Sequence, residues 1–265
     1  MCLILLAIGK HPEYKLILAA NRDEYYERPS EPPHFWQEAP HLLAGRDRVA
    51  LGTWLGITRK GRIAAVTNYR DPANVKPEAP SRGKLVSDFL LSDLDSISYL
   101  EPIRRDKDRY NGFNLILGNR ERITWYSNRS HKAAPLPPGV YGLSNHLLDT
   151  PWPKVVRAKA LFEEILSGGK DLSIESFFRL LKDQTVAPDD TLPRTGVPLE
   201  WERILSPIFI TSPSYGTRSS TVLLIDKEDR VSFLDRTFNG SSDPVTTCEF
   251  RFALEATNRL RDRGT

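Results

Sequence analysis

Four times along this chain, two apolar runs are joined by a short stretch of glycine, charge or proline, and that repeated hairpin pattern limits the fold more than any other feature. "CLILLAI" and "YKLILAA" flank "GKHPEY". "TWLGITRKGRIAAVTNY" turns around Lys60-Gly61, "NGFNLILGNRERITWYS" around Gly118-Asn119, and "STVLLIDKEDRVSFLDRTF" around Lys227 to Asp229. Antiparallel hairpins are therefore predicted throughout. The first pair is apolar at nearly every position instead of at alternate ones, which predicts strands covered on both faces. "CEFRF" alternates Cys248, Phe250 and Phe252 with charges and reads as a half-exposed strand.

Helical signals are fewer. Residues 84–94 place Leu85, Val86, Phe89, Leu90 and Leu94 at helical spacing. Pro151 or Pro153 starts a helix through about Ile165, closed by Gly168-Gly169, and Ser173 caps another to Leu181. Hairpins with two groups of helices imply sheets stacked between helical layers, an α+β chain of one domain over 1–265. Residues 187–199, rich in Pro, Asp, Thr and Gly, read as a flexible insertion within it. Neither a GxGxxG nor a GxxxxGK[ST] motif occurs.

Composition then narrows the function. A 40% hydrophobic and 27% charged chain of 265 residues can build a sizeable core. Its net charge of +3 is dispersed, which argues against nucleic acid. Two cysteines, Cys2 and Cys248, cannot make a disulfide framework or a tetrahedral metal site, so no metal is expected. The run after Met1 lacks a basic flank and a cleavage pattern, and no stretch reaches the ~18 apolar residues of a membrane span. A cytoplasmic protein with reduced thiols is expected, of unspecified oligomeric state.

The chemistry gathers at the front. If the first turn centres between residues 11 and 12, Cys2 lies opposite Ala20 or Asn21, close to Arg22 and Asp23. Removal of Met1 would leave Cys2 with a thiol and a free α-amine. That amine, with an ordinary pKa of ~7.7–8.0, can take the thiol proton without a histidine. Arg22 favours a thiolate, and Asp23 can orient the amine. A buried structural thiol beside an ion-paired loop fits the same residues.

The stretches "MCLI", "LILAANRDEYYERP", "GTWLGITRKGRIAAVTNYR", "SRGKLVSDFL", "YNGFNLI", "YGLSNHLLDTPWPKV" and "YGTRSSTVLLID" occur in the order found in the NRDE family, which this chain resembles from residue 1 to about 238. The resemblance implies an N-terminal nucleophile hydrolase-like fold, a four-layer αββα sandwich. A more distant likeness to choloylglycine hydrolases, which cleave amides with an N-terminal Cys, implies roles for single residues. Cys2 matches the nucleophile and Asp23 its carboxylate. Asn68 in "VTNY" and Asn145 in "LSNHLLDTPW" match oxyanion-hole asparagines, and Arg218 in "YGTRSS" a late active-site arginine. One departure stands out: the arginine three residues before the catalytic Asp is Ala20 here, while Arg22 falls between.

The resemblance therefore implies an N-terminal-cysteine hydrolase cleaving an amide or thioester of a small, partly apolar substrate through a Cys2 thioester. Asn21, Trp54, Tyr69, Arg70 and His146 are candidate ligand contacts. No cofactor is required. Non-catalytic binding and trafficking of haem, acyl-coenzyme A or a related lipid in the same cleft, suggested for the family, is the alternative, with Arg22, Arg70, Arg82 and Arg218 meeting anionic groups. None of His11, His34, His41, His131 and His146 belongs to a CxxCH motif.

Overall fold

A computed structural model describes residues 2–130, 133–169 and 172–256; Met1 and His131 lie outside them. In chain order the strands begin with β1 (Cys2–Ile8), β2 (Tyr14–Tyr25), β3 (Ser30–Trp36), β4 (Ala39–Asp47), β5 (Leu55–Thr58) and β6 (Arg62–Asn68). They continue with β7 (Phe113–Asn119), β8 (Ile123–Ser127), β9 (Ala133–Pro135) and β10 (Gly139–Leu143). The last are β11 (Tyr215–Asp226), β12 (Arg230–Thr237) and β13 (Thr246–Ala253). The helices are α1 (Arg82–Leu91), α2 (Ser96–Arg105), α3 (Pro153–Ser167), α4 (Ile174–Leu181) and the short α5 (Leu199–Ile204).

Two antiparallel sheets result, ordered β10-β1-β2-β11-β12-β13 and β3-β4-β5-β6-β7-β8-β9. Their facing sides share one apolar layer, in which Ile4, Leu6 and Leu18 of the first sheet meet Leu43, Ile57 and Ile116 of the second. On its outer side the first sheet sends Leu3, Leu5 and Ile17 against Val155 and Phe162 of α3 and Phe177 and Phe178 of α4. The second sheet sends Leu42, Ala64 and Leu115 against Leu85 and Phe89 of α1 and Leu100 of α2. The fold is a four-layer αββα sandwich. Strands buried on both faces explain why the first hairpin is apolar at successive positions.

Several details differ from the sequence reading. The first turn is longer than a tight hairpin: Ile8 pairs with Leu16, and carrying that register back sets Cys2 opposite Arg22, not Ala20 or Asn21. The helix expected over 84–94 runs Arg82–Leu91 and ends at Ser92, whose N–H bonds back to Asp88 and Phe89. α2 carries an internal proline, Pro102, that hides it from pattern reading, yet Asp95 caps it by accepting from the N–H groups of Ile97 and Ser98. β3 contains Pro32 and Pro33, tolerated because it is an edge strand with a register shift there. Residues 187–199 are tied back: Arg203 pairs with Asp189, and Thr195 donates to Glu202.

Candidate active site

β1 pairs with β10 only from Ile4 onward, so its first residue projects past the end of its neighbour. There the Ser144 hydroxyl donates to the Cys2 carbonyl at 3.1 Å and fixes the backbone of the strand end. Cys2 is half-buried and lines a cleft of about 490 Å³ together with Arg22, Asp23, Trp54, Asn68 and Arg82. Pairing parity explains the arrangement. Cys2, like Ile4, belongs to the side that faces the second sheet, where Trp54, just before β5, and Asn68, the last residue of β6, lie.

Burial pushes the Cys2 thiol above its ordinary value, and the Asp23 carboxylate adds to that. The Asp23 backbone N–H and Arg22 act the other way. A thiol so placed rests protonated and needs a base at the moment of attack. The Arg22 guanidinium lies 4.3 Å over the Trp54 ring and 3.9 Å from Asp47, with little exposure. It is a fixed cation beside the sulfur.

Asp23 is fully buried, on the opposite side of β2, facing the helices. The Thr217 hydroxyl donates to its Oδ1 at 2.8 Å, the Tyr215 hydroxyl to its carbonyl at 3.0 Å, and the Lys154 ammonium stands 3.8 Å from Oδ2. The asparagines divide their work. Asn68 lines the cleft, whereas Asn145 is fully buried and its amide donates to the Asn68 carbonyl at 2.9 Å. Asn145 therefore holds the strand end that presents Asn68.

Other expected site residues lie elsewhere. Arg218 is the extra residue of a bulge, since Thr217 pairs with Asp23 and Ser219 with Arg22. A bulge re-aims its side chain; the Arg218 guanidinium donates to the carbonyls of Tyr25, Tyr26 and Arg28 and braces that turn instead of lining the Cys2 cleft. Asn21 faces the helical side, donating to the carbonyls of Leu181 and Ile208 and accepting from Ser220, so its amide is structural. Tyr69 and His146 bond to each other at 2.7 Å, and the other His146 nitrogen meets the Thr150 hydroxyl at 2.9 Å. Arg70 forms a buried ion pair with Glu202 and lies over Trp152. These three form a wall beside α3, outside the cleft.

No histidine among the described residues lines the cleft, and both His146 nitrogens are engaged, so an axial haem ligand is not offered there. No group of three metal-ligating side chains occurs among the described residues, and no described helix is long and apolar enough to cross a membrane. Sequence reasoning missed Lys154, Thr217, Ser144 and Glu202. Lys154 left a trace: a lysine in the first turn of a helix opposes the helix dipole. The hydroxyls left none.

A family model described as Transport and Golgi organisation 2 matches residues 1–240. The Transport and Golgi organization protein 2 homolog of Bos taurus is 39% identical over 275 residues, covering 95% of this chain and 99% of its own length. The Homo sapiens homolog is 37% identical over 256 residues, covering 89% of this chain and 92% of its own. Among solved structures, two variants of the conjugated bile acid hydrolase from Clostridium perfringens are similar. One has a TM-score of 0.52 over 97% of this chain and 100% of its own, the other 0.50 over 98% and 100%; both are 12% identical. At that identity the likeness is one of fold.

Proposed function

The chain belongs to the Transport and Golgi organisation 2 family, and from that premise and the geometry of its cleft we propose an N-terminal-cysteine hydrolase that cleaves an amide or thioester of a small, partly apolar substrate. The observation that carries the reading is the convergence at one cleft of Cys2 and Arg22, paired across β1 and β2, with Asn68 from the facing sheet, and Asp23 next to Arg22 in β2. The hydrolase fold of the solved neighbours supports it.

In this mechanism the α-amine of Cys2, exposed by loss of Met1, accepts the thiol proton as the sulfur attacks the carbonyl carbon. The Asn68 amide donates to the oxyanion, and Asn145 keeps it aimed. The tetrahedral intermediate collapses, the α-ammonium protonates the departing amine or thiol, and the acyl group remains on Cys2 as a thioester. Water, deprotonated by the same amine, then attacks that thioester and releases a carboxylic acid and the thiol. Arg22 stabilises the anionic sulfur, and Arg82 at the cleft wall suits an anionic substrate group. Trp54 supplies the apolar contact.

The test is turnover of short-chain acyl thioesters and anilides by the protein from which Met1 has been removed. Acid release that stops in Cys2→Ala, with thermal stability unchanged, is expected. Equal turnover in Cys2→Ala would overturn the proposal, and tight binding of an acyl thioester without turnover would favour a carrier.

A further inference from the structure

A second, smaller cavity adjoins the Cys2 cleft, and the mechanism above gives it no task. Cys2, Arg22 and Trp54 line both spaces, so the nucleophile and the Arg22–Trp54 stack form their common wall. The rest of the lining is apolar for the most part. Ile4 from β1, Ala20 from β2 and Leu55 from β5 contribute to it, and they are 4%, 7% and 3% exposed. All three belong to the layer shared by the two sheets, so the cavity lies inside the sandwich. Thr221 joins them, with its hydroxyl committed to Asp235 Oδ2 at 2.6 Å. The cavity measures about 10 Å³, room for about one water-sized group. The cleft, by contrast, holds about 490 Å³ and runs out to the exposed Val49, past Arg28 and Arg82.

Acyl transfer asks different things of the two halves of a substrate. When the Cys2 sulfur bonds to the carbonyl carbon and the bond to the amine or thiol breaks, the departing half takes the proton and must diffuse away. It needs the open, arginine-lined cleft. The acyl half stays on sulfur until water releases it as the acid, so it can sit in a space with no exit. A buried apolar space favours carbon over a polar group, which would lose its water there without gaining a partner. We propose that the cavity beside Cys2 is the acyl pocket of the site and that it selects the shortest acyl groups, acetyl above all. A longer chain would have to displace close-packed side chains of the layer between the sheets. Ala20 and Leu55 set the depth of the pocket and are its specificity-determining residues. The inference rests on the reading of Cys2 as an N-terminal nucleophile.

The experiment follows transfer of acetyl, butyryl and hexanoyl groups from their N-acetylcysteamine thioesters to the protein from which Met1 has been removed, read by mass on the tryptic peptide 2–10. Cys248 in the same sample supplies the intrinsic order of the three reagents. Relative to it, Cys2 is expected to take acetyl about tenfold faster than butyryl or more, and butyryl faster than hexanoyl, since a methylene that an apolar site cannot seat costs about 10–200-fold. Leu55→Ala deepens the pocket and is expected to raise butyryl transfer to the acetyl rate or above it. Ala20→Val fills the pocket and is expected to slow acetyl transfer about tenfold. Should Leu55→Ala not fold, Ile4→Val takes one methyl from the same wall and is expected to narrow the acetyl-to-butyryl ratio. Equal rates for the three groups, a preference for hexanoyl, a ratio that the enlarging variant leaves alone, or an acetyl rate that Ala20→Val leaves alone overturns the pocket while leaving Cys2 as nucleophile. A Cys2 that takes none of the three groups removes the nucleophile and this inference together.

Discussion

Replacing Glu202 by alanine should strike the molecule harder than any exposed ion pair would. The Arg70 and Glu202 side chains are 7% and 4% exposed, so neither charge can turn to water when its partner goes. Losing one member of a buried pair costs about 3–5 kcal/mol, because the survivor stays buried and uncompensated. Glu202 also accepts from the N–H and hydroxyl of Thr195, so the same change frees the 187–199 segment. In a chain of this size about 1 kcal/mol corresponds to roughly 2–4 °C of melting temperature, which puts the expected drop at roughly 6–20 °C. Urea denaturation of Glu202→Ala and of the paired change Arg70→Met with Glu202→Leu measures both sides. The pair should recover most of that loss, since no charge is then stranded, while the Thr195 hydrogen bonds to Glu202 stay broken. A Glu202→Ala loss below about 1 kcal/mol, or a double variant weaker than the single one, would refute the reasoning.

Three other outcomes follow from the structure. Asn68→Ala should slow Cys2 acylation about 10²–10³-fold with the fold intact; burst-phase kinetics with an activated ester would show it, and an unchanged burst would remove Asn68 from the oxyanion site. Gly52→Ala should lower stability by about 1–3 kcal/mol, because its new Cβ would sit 2.5 Å from the Gly83 carbonyl carbon; a thermal melt equal to wild type would contradict that packing. Asp235 is a carboxyl raised by burial from 3.8 to about 7, so the folded chain holds its proton more tightly and stability falls as pH rises between those values, by about 4 kcal/mol at most. Asp235→Asn should flatten that fall in urea titrations from pH 4 to 8, and an unaltered slope would count against it.

The sheets were legible because their signal is local: doubly buried strands are apolar at every position, and Gly61, in the left-handed region, marks its turn plainly. β3, β9 and β10 were not, for β3 carries two prolines at an edge and the others are short segments whose burial comes from distant partners. Within the site, Cys2, Arg22 and Asn68 line one cleft, whereas the Asp23 carboxylate is held on the helical side of β2 by Thr217 and Lys154. Arg218 was misplaced because one bulge, invisible in a strand's composition, reversed its direction. Asn21 looked like a ligand contact by proximity to Arg22, yet strand alternation sends it to the helical face, where backbone carbonyls at 181 and 208 consume its amide. Lys154 owes its position to α3 docking on the first sheet, which no spacing near Cys2 encodes.

The decisive measurement is peptide-level mass spectrometry of the protein quenched in acid seconds after exposure to an activated ester. The account predicts that the tryptic peptide 2–10 begins at Cys2 and carries one acyl group, and that hydroxylamine removes it. A peptide that retains Met1, or an acyl group found on Cys248 with Cys2 untouched, would contradict it.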